Sequence, residues 1–291
     1  MTSHSSRGTF RACKRKYHWS YIKGLQQDRK PKALRMGSAW SDGLEHGRQA
    51  IEDYYRELMM NPKTPEWDLK DASQELAILL ALYDTYPFPR DEAREVGFRH
   101  IGPNYEDRGQ LDGLELEIIG DDTGLQAQQV AIIENKLYAR FGNQEIEKLE
   151  YDEQVTSYVA AVVDNDIEGY EFNVTANDVK VKYRVTLKPG LRQKVNESDK
   201  DYTARCVADI LARPDHYHRE VPTSRDEVEL QDFRERRDKH VMDLMYETEM
   251  GVWERSPSNC FDYGQCPFLK ICRTPNLDKV PEGYTEREAR S

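Results

Sequence analysis

No apolar run in this chain approaches the roughly 20 residues that cross a bilayer; the longest are short stretches such as Ala77 to Tyr83. The N-terminus MTSHSSRGTFRACKRK has no apolar signal-peptide region, so a cytoplasmic protein, in a bacterial or phage-infected cytosol, is expected. Cysteine is scarce: five in 291 residues is an odd number and too few for a disulfide scaffold. Absent too are GxxxxGK[ST], GxGxxG and HExxH, which excludes a nucleotide-driven motor, a dinucleotide turn and a zincin. No 20–50-residue repeat and no low-complexity stretch is present, so solenoids and long linkers are excluded. Positive charge is in deficit, 42 Lys and Arg against 53 Asp and Glu, for a net charge of −11 and a pI near 5.3. A uniformly cationic nucleic-acid coat or a membrane-surface protein does not have that balance. What remains, 38% hydrophobic and 33% charged, is the composition of a globular protein of one large or two modest domains.

Charge is unevenly placed. Residues 1–35 carry ten Lys and Arg against Asp28 alone, a net of +9 that leaves −20 for the rest. Phe10, Tyr17, Trp19 and Tyr21 are interleaved with these cations, a mixture suited to phosphates and base or sugar faces. Beyond this arm, Trp40, Leu44, Gly47, Ile51, Tyr55, Leu58 and Met59 recur at helical spacing and predict one amphipathic helix from about 38 to 60. A second is expected from Asp71 to Tyr83, closed by Tyr86-Pro87-Phe88-Pro89. The period then changes: 95–99, 109–119 and 130–136 read as strands, with a turn at 120–124. Helix is expected again over 144–163, a strand over 179–187, and helices near 200–212 and 225–249. Strands framed by helices predict an α/β domain. His216-Tyr217-His218 is expected in a surface turn, and the charged segment 281–291 is expected to be mobile.

The most informative constellation is Asp112 in Gly109-Gln110-Leu111-Asp112-Gly113, followed by Glu134-Asn135-Lys136. Residues i and i+2 of a strand share a face, so Glu134 and Lys136 point the same way, and a hairpin would bring Asp112 alongside. Two carboxylates at a strand end supply hard oxygen ligands for Mg²⁺ or Mn²⁺, and a lysine beside them can orient or help deprotonate water. The apolar Val130 to Ile133 would anchor the pair at the edge of a core. Glu95 lies one strand earlier, and Gln154 and Tyr158, four apart on a helix, could reach a phosphate or the attacking water.

Cys260, Cys266 and Cys272 stand at two equal spacings of six, and Cys13 lies at the other end of the chain. Four thiolates suit a cubane iron–sulfur cluster or a structural zinc, though the close CxxC pairs typical of zinc are missing. Joining Cys13 to Cys260 closes a loop of 247 positions and restricts the unfolded chain strongly. Cys206, beside Val207, Ile210 and Leu211, is expected to be a core thiol.

Taken in order, Cys13-Lys14-Arg15-Lys16-Tyr17, Gly37-Ser38-Ala39-Trp40 with Leu44-Glu45, Glu95, Gly109-x-x-Asp112-Gly113, Glu134-x-Lys136 and Gln154-x-x-x-Tyr158 resemble the PD-(D/E)XK nuclease superfamily, in its RecB-type branch. The resemblance implies a restriction-endonuclease-like mixed central sheet flanked by helices, in a single domain over 1–291. Within it, the 1–35 arm and a cysteine-rich 253–275 segment would form an iron–sulfur subregion beside a nuclease core over 36–252. It further implies that Asp112 and Glu134 bind metal with the Asn135 carbonyl, that Lys136 serves the nucleophilic water, and that Gln154 and Tyr158 contact the DNA strand. Arg11, Lys14, Arg15, Lys16 and Tyr17 would bind DNA, with Arg140 and Lys148 lining the groove. AddB-type and CRISPR-adaptation nucleases of this branch hold a 4Fe-4S cluster with one N-terminal and three C-terminal cysteines, which here are Cys13, Cys260, Cys266 and Cys272. One departure is Ser41, at the place of the metal-binding histidine of many RecB-type members. Serine is a poor substitute for imidazole, and Glu45, one turn later, is the expected replacement, with Glu95 nearby.

The expected activity is therefore Mg²⁺- or Mn²⁺-dependent hydrolysis of DNA, as an exonuclease or end-processing enzyme in recombination, repair or phage DNA metabolism. A helicase, a recombinase or another DNA-processing protein is the expected class of partner. Ser41 motivates the competing expectation, a catalytically decayed DNA-binding or assembly subunit. A zinc-stabilised binding module is the third.

Overall fold

In the computed structural model, described over residues 2–28, 31–62, 64–89, 93–120, 126–261, 265–273 and 279–287, helices and strands alternate as the changes of period require. The order is α1 (His4–Ala12), α2 (Lys14–Tyr17) continuing into a π-helical turn (His18–Ile22), β1 (Leu25–Gln27), α3 (Lys32–His46), α4 (Arg48–Met60), α5 (Glu66–Asp84), β2 (Ala93–Ile101), β3 (Glu106–Gly120) and β4 (Gln126–Tyr138). Then follow α6 (Asn143–Glu150), α7 (Glu153–Val163), β5 (Val179–Leu187), α8 (Asp199–Ala212), α9 (Pro214–Tyr217), β6 (His218–Ser224), α10 (Glu227–Met250) and β7 (Tyr284–Glu286).

Two expected helices are each broken in two. The 38–60 helix divides at Gly47, whose φ of 94° and ψ of 174° are accessible only to glycine. The 144–163 helix divides at Asp152, which N-caps α7 by accepting the Gln154 backbone N–H at 2.9 Å. α5 starts at Glu66, five residues before the expected Asp71. β6 was not anticipated, because Pro222 interrupts it; it is an edge strand, where proline costs no ladder bond on its outer side. The expected 281–291 tail contains β7, paired antiparallel with β1. The expected 120–124 turn falls almost wholly on 121–125, outside the described residues.

The mixed sheet has the order β2-β3-β4-β5-β6, antiparallel at β3–β4 and β5–β6 and parallel at β4–β5. A parallel pair needs a long crossover, which α6 and α7 supply. Its interior is built by Val130, Ile132 and Ile133 of β4, by Val179, Val181, Tyr183 and Val185 of β5, and by Val155, Val159 and Val162 of α7. Each such side chain contributes about 1.5–3 kcal/mol on burial. α3, α4 and α5 pack together around a buried ionic group: Arg35 donates to both Glu75 oxygens at 2.7 and 2.8 Å and to Asp68 at 3.1 Å, and Tyr55 donates to Glu75 at 2.9 Å.

The chain forms two compact units, one of residues 1–31, 98–109 and 228–291, the other of 32–97 and 110–227. Residues 98–109 and most of α10 fall in the first unit together with both ends of the chain. In the first unit the expected arm is packed structure. Phe10 and Tyr17 are buried with Leu244 against Tyr21 and Trp253, while Trp19 and Leu25 pack with Phe268, Ile271 and Tyr284.

Candidate active site

The site belongs to the second unit and starts with register. β3 and β4 pair Gly113 with Ile133, and one step further sets Asp112 across from Glu134 on the same face. The backbone N–H of Asn135 donates to Asp112 Oδ2 at 2.8 Å, which fixes the carboxylate. Glu134 is 2% exposed, held at the end of the buried Val130–Ile133 run. Lys136 Nζ lies 2.5 Å from Glu134 Oε1 and donates to Gln154 Oε1 at 3.2 Å; Gln154 in turn donates to the buried Tyr158 hydroxyl. A cavity of about 250 Å³ opens over this group, lined by Gly37, Trp40, Ser41, Asp112, Glu134, Asn135, Lys136 and Leu137.

The electrostatics favour a cation. Burial and the neighbouring Asp112 push the Glu134 carboxyl up to about 8, against the pull of Lys136, and burial also raises Asp112. Burial pulls Lys136 down, but Glu134, with Asp152 and Asp112, raises it above its ordinary value on balance. Among the described residues Glu134 Oε2 is buried with no hydrogen-bond partner, a costly arrangement that a divalent ion would relieve. Asp112 also feels Glu45, and Glu95 lies within hydrogen-bonding reach of Glu45. Burial, then Glu45 and Asp112, lift Glu95 to about 6. Glu95 has a φ of 38°, unusual for a residue with a Cβ, and accepts from Gln110. The structure thus brings together Asp112, Glu134, Asn135, Lys136, Gln154 and Tyr158, and sets Glu45 and Glu95 beside Asp112. The donor set, hard carboxylates with one orphaned oxygen, fits Mg²⁺ or Mn²⁺.

Three residues escaped the sequence reading. Tyr86 donates to Asn135 Oδ1 at 2.7 Å and packs edge-on against Trp40 and His218. Asp152 orients α7 and accepts from Tyr183 at 3.3 Å. His218 corrects the expected surface turn: it is buried between the Thr85 and Thr186 hydroxyls at 3.1 Å each, and burial lowers it to about 4, a neutral core histidine. Only Asp152 had a usable signal, an N-cap residue ahead of Glu153-Gln154.

In the first unit the four cysteines converge. Cys13 sits between α1 and α2, and Asn259 donates to the Ala12 carbonyl, drawing the Pro257–Cys260 turn to it. Cys266 N–H donates to the Cys260 carbonyl at 2.8 Å. Burial raises the Cys266 and Cys272 thiols, and Cys13 and Cys260 act on both. No three of these sulfurs lie within 4.8 Å of one another among the described residues. Cys206 is a buried core thiol of α8. Of the expected DNA contacts, Arg11 is exposed and Arg15 and Lys16 are half-exposed. Lys14 pairs with Glu247 at 2.5 Å, and Tyr17 is 5% exposed, its ring stacked on Tyr21.

A mixed sheet presents paired carboxylates and a lysine from adjacent strands, a donor set that could hold a divalent cation beside a phosphate ester. The profile of the PD-(D/E)XK nuclease superfamily matches residues 1–273, and the chain belongs to that superfamily, whose nucleases use divalent metals. Among solved structures the chain is similar to a protein from Eubacterium rectale described as "Putative exonuclease", at 13% identity, a TM-score of 0.49, and coverage of 96% of this chain and 90% of that one. No curated protein matches. No helix among the described residues is long and apolar enough to cross a membrane.

Proposed function

We propose that this protein is a Mg²⁺- or Mn²⁺-dependent deoxyribonuclease, and the observation that carries the reading is the orphaned Glu134 oxygen facing Asp112 beside a tethered Lys136. Asp112 and Glu134 hold the ion, with the Asn135 carbonyl, Glu45 and Glu95 as further oxygen donors. When bound, a divalent cation supplies Lewis-acid stabilisation of phosphate charge. Lys136, an ammonium beside Glu134, orients the attacking water and adds positive charge at the phosphate. Gln154 and Tyr158 keep the lysine in place. Arg11, Arg15 and Lys16 supply backbone contacts to DNA. Action on DNA ends, in recombination, repair or phage DNA metabolism alongside a helicase or recombinase, rests on the RecB-type resemblance.

We further read Cys13, Cys260, Cys266 and Cys272 as ligands of a 4Fe-4S cluster. One zinc ion needs thiolates roughly 3.8 Å apart, given Zn–S bonds near 2.3 Å. The CxxC pairs typical of such zinc sites are missing here, and the cluster-bearing nucleases of the RecB-type resemblance favour the cubane.

The test is a nuclease assay on anaerobically purified protein with end-labelled linear and covalently closed circular DNA, in each metal. The reading expects metal-dependent loss of linear DNA by wild type and none by Glu134→Ala or Lys136→Ala. A second reading, a decayed DNA-binding subunit, is favoured by Ser41 lining the cavity where the branch carries histidine. DNA binding without cleavage in either metal would establish it.

A further inference from the structure

Beyond Lys136 the catalytic strand does not end in core. Glu134, Lys136 and Tyr138 are at i, i+2 and i+4 of β4 and share one face. Register carries that face across the sheet, since Lys136 pairs with Val185 of β5 and Val185 with Arg219 of β6. Arg219 therefore projects on the same side as Lys136. Just past the strand, in Ala139-Arg140-Phe141-Gly142, Phe141 turns back so that its ring centroid is 5.1 Å from that of Tyr138, and the Arg219 guanidinium lies 5.6 Å from the Phe141 centroid. Tyr138, Phe141 and Arg219 are all half-buried and Arg140 is exposed. Phe141 is thus only half-buried, set between an aromatic ring and a cation rather than in the core.

Two residues along a strand span about 7 Å. Tyr138 therefore stands one such step beyond Lys136 on the same face, where a nucleotide adjoining the one whose phosphate Lys136 serves could meet it. Base–aromatic stacking tolerates any sequence, because every base has a π-face, and a guanidinium on the ring adds a cationic edge. A base inside a duplex already has both faces stacked on its neighbours, so it must be unpaired to use this surface.

We propose that Tyr138, Phe141 and Arg219 form a base-stacking ledge that binds the unpaired nucleotide next to the scissile phosphate, making single-stranded or frayed DNA ends the preferred substrate. This rests on the nuclease reading above. The ledge selects the substrate without reading its sequence and takes no part in the bond-breaking step.

A coupling experiment separates the two claims. Oligothymidylate, the same strand with one abasic nucleotide moved stepwise along it, and a blunt duplex are compared by binding in Ca²⁺ and by cleavage in Mg²⁺. Wild type, Phe141→Ala, Phe141→Trp and Tyr138→Phe are used, each checked for an unchanged melting profile. One stacked base is worth roughly tenfold in affinity. The expectation is that an abasic nucleotide at one position weakens wild type about tenfold, that Phe141→Ala loses the same factor on the intact strand, and that the abasic strand costs this variant nothing more. Phe141→Trp should restore the preference for single strands over the blunt duplex, and Tyr138→Phe should keep it. If wild type cuts all three substrates alike, or the two losses multiply, the ledge is overturned and the nuclease reading stands. Wild-type protein that neither binds nor cuts any of them overturns both.

Discussion

Glu134 shows how one side chain links stability to the proposed chemistry. Its carboxyl rises from an ordinary 4.5 to about 8 when buried beside Asp112. A carboxyl held more tightly protonated in the folded state stabilises the fold below pH 4.5 and loses that contribution as pH climbs through about 8. In chelator, wild type should therefore lose melting temperature relative to Glu134→Gln as pH rises across this window, and Mg²⁺ or Mn²⁺ should raise it again in wild type only. A pH-independent gap between the two would remove the buried-carboxylate account. Tyr86 acts on the same strand from behind. Tyr86→Phe leaves Asn135 Oδ1 without its 2.7 Å donor and should cost about 1–2 kcal/mol in urea unfolding. The Tyr86-Pro87-Phe88-Pro89 run is legible only as a helix stop, because the partner of its hydroxyl lies 49 positions away on another strand.

At the scale of elements, two helix breaks were hidden by periodicity. Ile51 and Tyr55 keep the apolar spacing going past Gly47, and an apolar stripe carries no information about a single left-handed residue within it. Gly47→Ala should cost about 1–3 kcal/mol in thermal unfolding, since its φ of 94° is strained for any residue with a Cβ. The α3–α5 packing depends in turn on Arg35, 2% exposed and bound by Glu75 and Asp68. Glu75→Ala leaves a buried guanidinium short of one counter-charge and should destabilise by about 3 kcal/mol or more, read as a drop in melting temperature. The same break at Asp152 gives α7 a capped start, and the cap sets the first-turn Gln154 opposite Lys136.

At the scale of the molecule, the first unit is small, and its apolar clusters draw on residues from both ends of the chain, Phe10 with Leu244 and Trp19 with Tyr284. A cluster bound by Cys13 and the three C-terminal cysteines would cross-link those ends. Anaerobic protein should show visible thiolate-to-iron absorption with iron and sulfide in equal amounts, and Cys272→Ala should lose both and become protease-sensitive within residues 1–31. Stoichiometric zinc in a colourless protein would replace this assignment. DNA binding should weaken steeply with salt in wild type and in Glu134→Gln alike, because phosphate contacts rather than the metal site set that slope.

Sequence by itself determined which groups could do chemistry. Asp112 in Gly109-x-x-Asp112-Gly113, Glu134-x-Lys136 and the three C-terminal cysteines at spacings of six are local patterns, and the strand period alone puts Glu134 and Lys136 on one face. Tertiary structure decided what those groups meet. Antiparallel register set Asp112 against Glu134, α7 delivered Gln154 to Lys136, and packing made the +9 segment a folded element with Tyr17 and Trp19 inside. The reason is physical. Periodicity is written within a few residues of chain, whereas register, burial and the partner of a hydroxyl depend on contacts between segments far apart in sequence, which exist only once the core has formed.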